Sequence, residues 1–78
     1  MTMIRGSWRE CDLLHKIGRR VQAGRVDAGM TQQELADRVL LSRPSIANLE
    51  GGNQEVPVTR LALIARVLGM ELADLVKE

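Results

Sequence analysis

The sequence predicts an all-α fold of five helices, and two observations carry that prediction. Apolar residues make up 45% of the 78 residues, yet the only aromatic side chain is one tryptophan, so the core must be built from aliphatic side chains. Aliphatic cores of this kind favour helices over a sheet. Apolar residues also recur at helical spacing in successive stretches that are separated by glycine or by capping residues. A chain of this length forms one small domain.

The first helix is predicted from about Glu10 to Ala28. Its apolar stripe consists of Leu13, Leu14, Ile17 and Val21. Gly29 should end it, because glycine adopts the left-handed conformation easily. Residues 1–8 lack helical periodicity and contain two small residues, so we expect a flexible N-terminal arm before a single domain over residues 9–78.

Capping residues place the next two helices. Thr31 is a good N-cap, and Glu34 three residues later completes a capping box, so the second helix should begin here. It should run to about Val39. Ser42 is the next N-cap, with Pro44 in the first turn, where the missing N–H does little harm. Gly51-Gly52-Asn53 should end the third helix.

Two further apolar stripes predict the last helices. The fourth consists of Leu61, Ile64, Ala65 and Leu68, and Gly69 should close it. A short fifth helix should hold Leu72, Leu75 and Val76.

The spacing between residues 31 and 51 is typical of a helix-turn-helix, in which two helices cross steeply over a tight turn. The inward positions are Leu35, Val39, Leu41, Ile46 and Leu49, and the small Ala36 allows close approach. The exposed side of the third helix is small and polar, which suggests a contact surface.

The chain resembles the phage-repressor (Xre/Cro-like) helix-turn-helix family. The resemblance rests on "IGRRVQAGRVDAGMTQQELA", "LSRPSIANLEGG" and "VPVTRLALIARVLGM" followed by "ELADLV". It implies a compact five-helix repressor-like DNA-binding domain, with the third helix in the major groove. The implied function is sequence-specific regulation of transcription on double-stranded DNA. We expect a repressor that binds a palindromic operator as a homodimer.

The resemblance and the chemistry together predict the DNA contacts. Gln32 matches a glutamine that usually bonds a phosphate, and a helix N-terminus with its free N–H groups suits that role. The expected phosphate contacts are Gln32, Gln33, Ser45, Asn53 and Gln54. The expected base contacts are Arg43, Pro44, Ala47 and Asn48. Arg43 could bond O6 and N7 of guanine, or be an ordinary solvated arginine; Asn48 could contact a base, a phosphate or only solvent.

Other positions are expected to be structural. Arg25 and Glu50 match a family pair that commonly forms a salt bridge. Leu40 stands where the family usually has glycine. A leucine in the left-handed conformation costs roughly 1 kcal/mol, and the alternative is a turn rearranged by a longer second helix. Gly24 lies mid-helix, at a cost of about 1 kcal/mol, so the first helix could bend or loosen there.

A single small domain makes few contacts with DNA. We therefore expect two copies on half-sites about 34 Å apart. The expected dimer surface is the fifth helix, with Leu72, Leu75 and Val76, together with the loop after the third helix.

Several function classes are excluded. The single cysteine forms no intrachain disulfide or cysteine-based zinc site, and the single histidine has no partner at metal-ligand spacing. No nucleophile–base pair, paired catalytic carboxylates or phosphate-binding glycine loop is present, so we expect no catalytic residues, no metal, no cofactor and no enzyme activity. No membrane-length apolar run and no signal sequence is found, which predicts a cytoplasmic protein, associated with the nucleoid through DNA.

The charge distribution keeps one alternative open. Net charge is only +1, with six basic and two acidic residues in 1–25 against five basic and eight acidic residues in 26–78. This is mild for a nucleic-acid binder. The alternative is a protein-interaction module, such as an antitoxin or antagonist whose main partner is another protein, for instance a toxin. An arm around Trp8 would favour it.

Overall fold

The helices begin and end close to the positions that the sequence predicts. The computed structural model describes residues 10–77; the expected arm over residues 1–8 and Trp8 lie outside them. Within this range the chain forms helices and no strand, which confirms the all-α prediction. The helices are α1 Glu10–Asp27, α2 Gln32–Val39, α3 Arg43–Glu50, α4 Val58–Val67 and α5 Leu72–Val76.

Side-chain caps fix the starts of α2 and α3. The Glu34 backbone N–H donates to Thr31 Oγ1 over 3.0 Å, and the Thr31 N–H donates to Glu34 Oε1 over 2.8 Å. The bond from the Thr31 backbone holds the pKa of Glu34 below its usual value. Ser42 Oγ accepts from the Ser45 N–H over 3.2 Å, and Pro44 lies in the first turn of α3. Both caps satisfy backbone donors that a helix leaves without internal partners.

The turn between α2 and α3 contains a left-handed leucine. Leu40 has φ 59° and ψ 42°, and 77% of its surface is exposed. The Leu41 N–H returns to the Ala36 carbonyl over 3.0 Å, which closes the turn. The second helix is therefore not prolonged, and the backbone accepts the less favourable conformation of a non-glycine residue.

Replacing Leu40 with glycine is expected to raise the free energy of unfolding by about 0.5–1 kcal/mol. Glycine adopts the left-handed conformation without strain, which stabilises the folded state. It also increases the conformational entropy of the unfolded chain, which offsets part of that stabilisation. Urea titration followed by circular dichroism measures the difference. Leu40→Ala is the control, since it removes the same exposed side chain but keeps the left-handed strain. An equal gain in both variants would contradict the explanation.

The core is aliphatic and brings all five helices together. Its most deeply buried large side chains are Leu35, Ile46, Leu49, Ile64, Leu75, Val21 and Val39. Ala36 is also fully buried, as its role in close helix packing requires. α1 is a continuous helix through Gly24, where the side chains of Leu68 and Met70 pack close to the helix.

The expected dimer surface on α5 needs a correction. Leu75 has no exposed surface, because it is packed inside the core of its own chain. The prediction that Leu75 lies at a dimer interface is therefore wrong. Leu72 is half-buried against the same core, and only Val76, 39% exposed, presents substantial apolar surface. The apolar stripe shows which face of α5 is covered. It does not show whether the core of the same chain or a second copy covers that face.

Gly18 allows α1 to contact the end of α3 through backbone atoms. A Cβ at this position would lie 2.3 Å from the Leu49 carbonyl oxygen and 2.7 Å from that of Glu50. These distances are far below van der Waals contact, so only glycine fits without movement of a helix. The contact fixes the C-terminal end of α3 against α1.

Among residues 10–77, no helix combines the length and apolarity that a membrane span requires. The same residues contain no cluster of three or more side chains that could hold a metal ion.

Candidate nucleic-acid interface

One face of α3 is buried in the core and the opposite face is exposed, as the helical repeat of its apolar residues predicts. Ile46 and Leu49 point into the core, with at most 1% of their surface exposed. Arg43, Pro44 and Asn48 are exposed. Ser45 and Ala47 are half-buried. The small side chains leave Arg43 as the longest side chain on this exposed surface of α3.

Gln32, the first residue of α2, joins this surface to the interior. Its Nε2 donates to Glu50 Oε1 over 3.0 Å, and its Oε1 accepts from Arg43 Nη1 over 3.4 Å. Gln32 and Arg43, 11 residues apart in sequence, therefore lie side by side at the starts of the two helices. Its other neighbour, Glu50, comes from the last turn of α3.

Arg25 and Glu50 form an ion pair beneath this surface. Arg25 Nε lies 2.6 Å from Glu50 Oε2, and Arg25 Nη2 donates to Glu50 Oε1 over 3.1 Å. Arg25 Nη1 also donates to the Met30 carbonyl over 2.8 Å. Only 12% of the Arg25 side chain and 4% of the Glu50 side chain are exposed. The pair ties the last turn of α1 to the last turn of α3, and its planar, two-pronged geometry is the strong form of this interaction.

The remaining predicted contact residues are spread around this centre. Gln33 Nε2 donates to Asp37 Oδ1 over 2.8 Å along the exposed side of α2. Ser42 Oγ donates to Ser45 Oγ over 3.0 Å. Asn48 Nδ2 donates to Gln54 Oε1 over 3.4 Å, which links α3 to the loop that follows it.

Asn53 lies in that same loop, and it is exposed. Its backbone N–H donates to the Asn48 carbonyl over 2.8 Å. The structure thus brings Asn48, Asn53 and Gln54 together at the far end of α3, away from Arg43.

Sequence reasoning missed two features of the site. The bond between Gln32 and Glu50 joins residues 18 positions apart, and no local pattern indicates it. The contact of Gly18 with α3 left a weak signal, a glycine inside a helix whose neighbours are good helix formers. Such a glycine costs helix stability, which points to a packing or functional requirement at its position.

A family model described as helix-turn-helix matches residues 21–75, which is more than half of the chain. The protein belongs to the Xre-like helix-turn-helix family. Members of this family are DNA-binding regulators of transcription, and this chain shares that general function. Both family and fold are those of regulators rather than enzymes.

Solved structures show the same Xre-like architecture. The clp gene regulator ClgR from Corynebacterium glutamicum is 33% identical with a TM-score of 0.78, over 82% of each chain. The restriction-modification controller protein C.AhdI from Aeromonas hydrophila is 29% identical with a TM-score of 0.75, over 80% of this chain and 94% of that one. SinR, a master regulator for biofilm formation solved in complex with DNA, is 25% identical with a TM-score of 0.69, over 76% and 95%. No curated protein matches the sequence.

Proposed function

We propose that the protein is a repressor that binds a palindromic operator as a homodimer, with α3 in the major groove. The observation that carries the proposal is the position of Arg43, exposed in the first turn of α3 and next to the start of α2. In a helix-turn-helix the N-terminal residues of the second helix contact base edges. SinR, a structural neighbour, was solved with DNA, which supports the same partner here.

Arg43 is proposed to contact guanine. Its guanidinium group can donate two hydrogen bonds to O6 and N7, which contributes about 1–3 kcal/mol of discrimination against other bases. Pro44 and Ala47 supply small apolar surface suited to a thymine methyl group. Asn48, one turn further, could bond an adenine edge or a phosphate.

The proposed phosphate contacts are neutral donors around the two helix starts and the loop after α3. Gln32 and Gln33 lie in the first turn of α2, where the helix dipole favours an anion. Ser45, Asn53 and Gln54 could bond the backbone on the other side of α3. Gln33, Ser45 and Gln54 bond other polar side chains, which a phosphate can replace. Gln32 Nε2 has a second N–H that can donate to a phosphate while the first keeps its bond to Glu50.

The homodimer is proposed to form through α5, with Val76 at its centre and Leu72 at its edge. Val76 is 39% exposed at the end of the chain that the structure describes. Two copies would place two α3 helices on half-sites about 34 Å apart. In a cell this activity would associate the protein with the nucleoid.

The test is selection of duplexes from a random pool by the purified protein and by Arg43→Ala. We expect a palindromic motif with a guanine in each half, and we expect the variant to lose preference at that guanine by about 5- to 150-fold. Arg66→Ala, which removes an exposed arginine from the last turn of α4, is the matched control and should select the same motif. If no sequence is enriched at moderate salt, DNA is not the main partner and a protein partner becomes the better hypothesis.

A further inference from the structure

We infer that Glu50 and Gln32 are positioning residues that set the base preference of Arg43, although Glu50 itself is buried away from DNA. The inference rests on the proposed function of Arg43. The observation is a continuous chain of bonds from Glu50 Oε1 to Gln32 Nε2 and from Gln32 Oε1 to Arg43 Nη1.

The direction of the Gln32 amide is the first step. A carboxylate only accepts hydrogen bonds, and a guanidinium group only donates them. Glu50 therefore requires the Nε2 end of the amide, which turns the Oε1 end toward Arg43. The reverse orientation would place an N–H₂ group against the guanidinium and a carbonyl oxygen against the carboxylate. Each partner thus selects the same one of the two orientations.

The rigidity of Glu50 is the second step. Its side chain is 4% exposed, and both carboxylate oxygens accept bonds from Arg25. Glu50 Oε1 is shared between Gln32 at 3.0 Å and Arg25 at 3.1 Å. The carboxylate cannot turn without breaking these bonds, so it acts as a fixed reference for the Gln32 amide.

The consequence for recognition is the third step. An exposed arginine has many rotamers, and holding it before it meets DNA reduces the freedom lost on binding. Discrimination between guanine and adenine depends on the placement of two donors at once. A guanidinium group held by Gln32 therefore favours guanine more strongly than one that is free to bond nearby phosphates.

Glu50→Gln tests the chain with little change in shape. An amide at this position both donates and accepts, so it no longer imposes one orientation on Gln32. Gln32→Leu is the second variant, because it removes the amide without touching the ion pair. Arg66→Ala is the matched control, since it removes an exposed arginine of α4 and leaves the bonds among Arg25, Glu50, Gln32 and Arg43 intact.

The readout is the ratio of dissociation constants for two duplexes, the selected operator and the same operator with adenine at the guanine position. The same protein sample is measured with both duplexes. A smaller folded fraction raises both apparent dissociation constants by the same factor, so it does not change their ratio. We expect Glu50→Gln and Gln32→Leu each to lower the ratio about threefold or more, part of the discrimination that a bidentate arginine provides. Arg66→Ala should keep the ratio.

Three outcomes separate the two proposals. If only Arg43→Ala lowers the ratio, the positioning inference is wrong and the proposed function stands. If Glu50→Gln lowers the ratio and Gln32→Leu does not, the effect comes from the loss of the ion pair and not from the Gln32 amide, and the inference is again overturned. If the unmodified protein shows no preference for guanine, the proposed function fails first.

Discussion

Replacing Arg25 with methionine is expected to lower the free energy of unfolding by about 3–5 kcal/mol, because it leaves the buried Glu50 carboxylate without its charged partner. Gln32 alone would then bond that carboxylate. The Met30 carbonyl would also lose the donor that Arg25 Nη1 supplies at 2.8 Å. Urea-induced unfolding followed by circular dichroism measures the loss. For a domain of this size it is a large share of the total stability.

Two controls test the cause of that loss. Arg66→Met removes an exposed arginine of α4 and should change stability by less than about 0.5 kcal/mol. The double variant Arg25→Met with Glu50→Met removes both charges, and it should recover a substantial part of the stability, because no charge remains buried without a partner. A double variant less stable than Arg25→Met alone would show that the uncompensated carboxylate is not the cause.

Gly18→Ala is expected to lower the free energy of unfolding by about 1–3 kcal/mol, the usual effect of forcing a methyl group into a filled space. Inside a helix the same change normally stabilises by up to about 1 kcal/mol, so the sign itself is informative. The new Cβ would lie 2.3 Å from the Leu49 carbonyl oxygen and 2.7 Å from that of Glu50. These are backbone atoms of a packed helix, which can move only if the whole helix shifts. Thermal unfolding gives the measurement.

Gly24→Ala in the same helix is the matched comparison. Its Cβ would meet Met70 Sδ at 2.9 Å and Leu68 Cδ1 at 3.2 Å, both near the ends of flexible side chains. These can move, so we expect the helix preference of alanine to offset the crowding and the melting temperature to stay near that of the unmodified protein. Equal losses at both positions would mean that the backbone contact at Gly18 has no special role.

Helix boundaries were predictable because the groups that set them are close in sequence. The bonds between Thr31 and Glu34, and between Ser42 and Ser45, each span three residues. Gly29 was expected to end α1 through a left-handed conformation, and it has φ 71°. The conformation of Leu40 was not decided by the local sequence, since a prolonged second helix was the alternative to the left-handed residue that the structure shows.

Contacts between helices were much harder to predict. Leu75 belongs to an apolar stripe, but the stripe gives no information on whether the surface it meets comes from its own chain. The amide of Gln32 was assigned to a phosphate from its place at a helix start, whereas its bond to Glu50 depends on how α3 crosses α2. Distances of this kind come from packing, and packing depends on all five helices together.

The backbone contact at Gly18 limits how the DNA-binding surface could be transplanted. The helix-turn-helix over residues 31–51 is continuous in sequence and looks like a portable unit. However, the C-terminal end of α3 packs directly against the backbone of α1 at Gly18, and the buried Glu50 carboxylate pairs with Arg25 of α1. A graft of α2 and α3 onto another scaffold would therefore need a helix with glycine and arginine seven residues apart on the facing side.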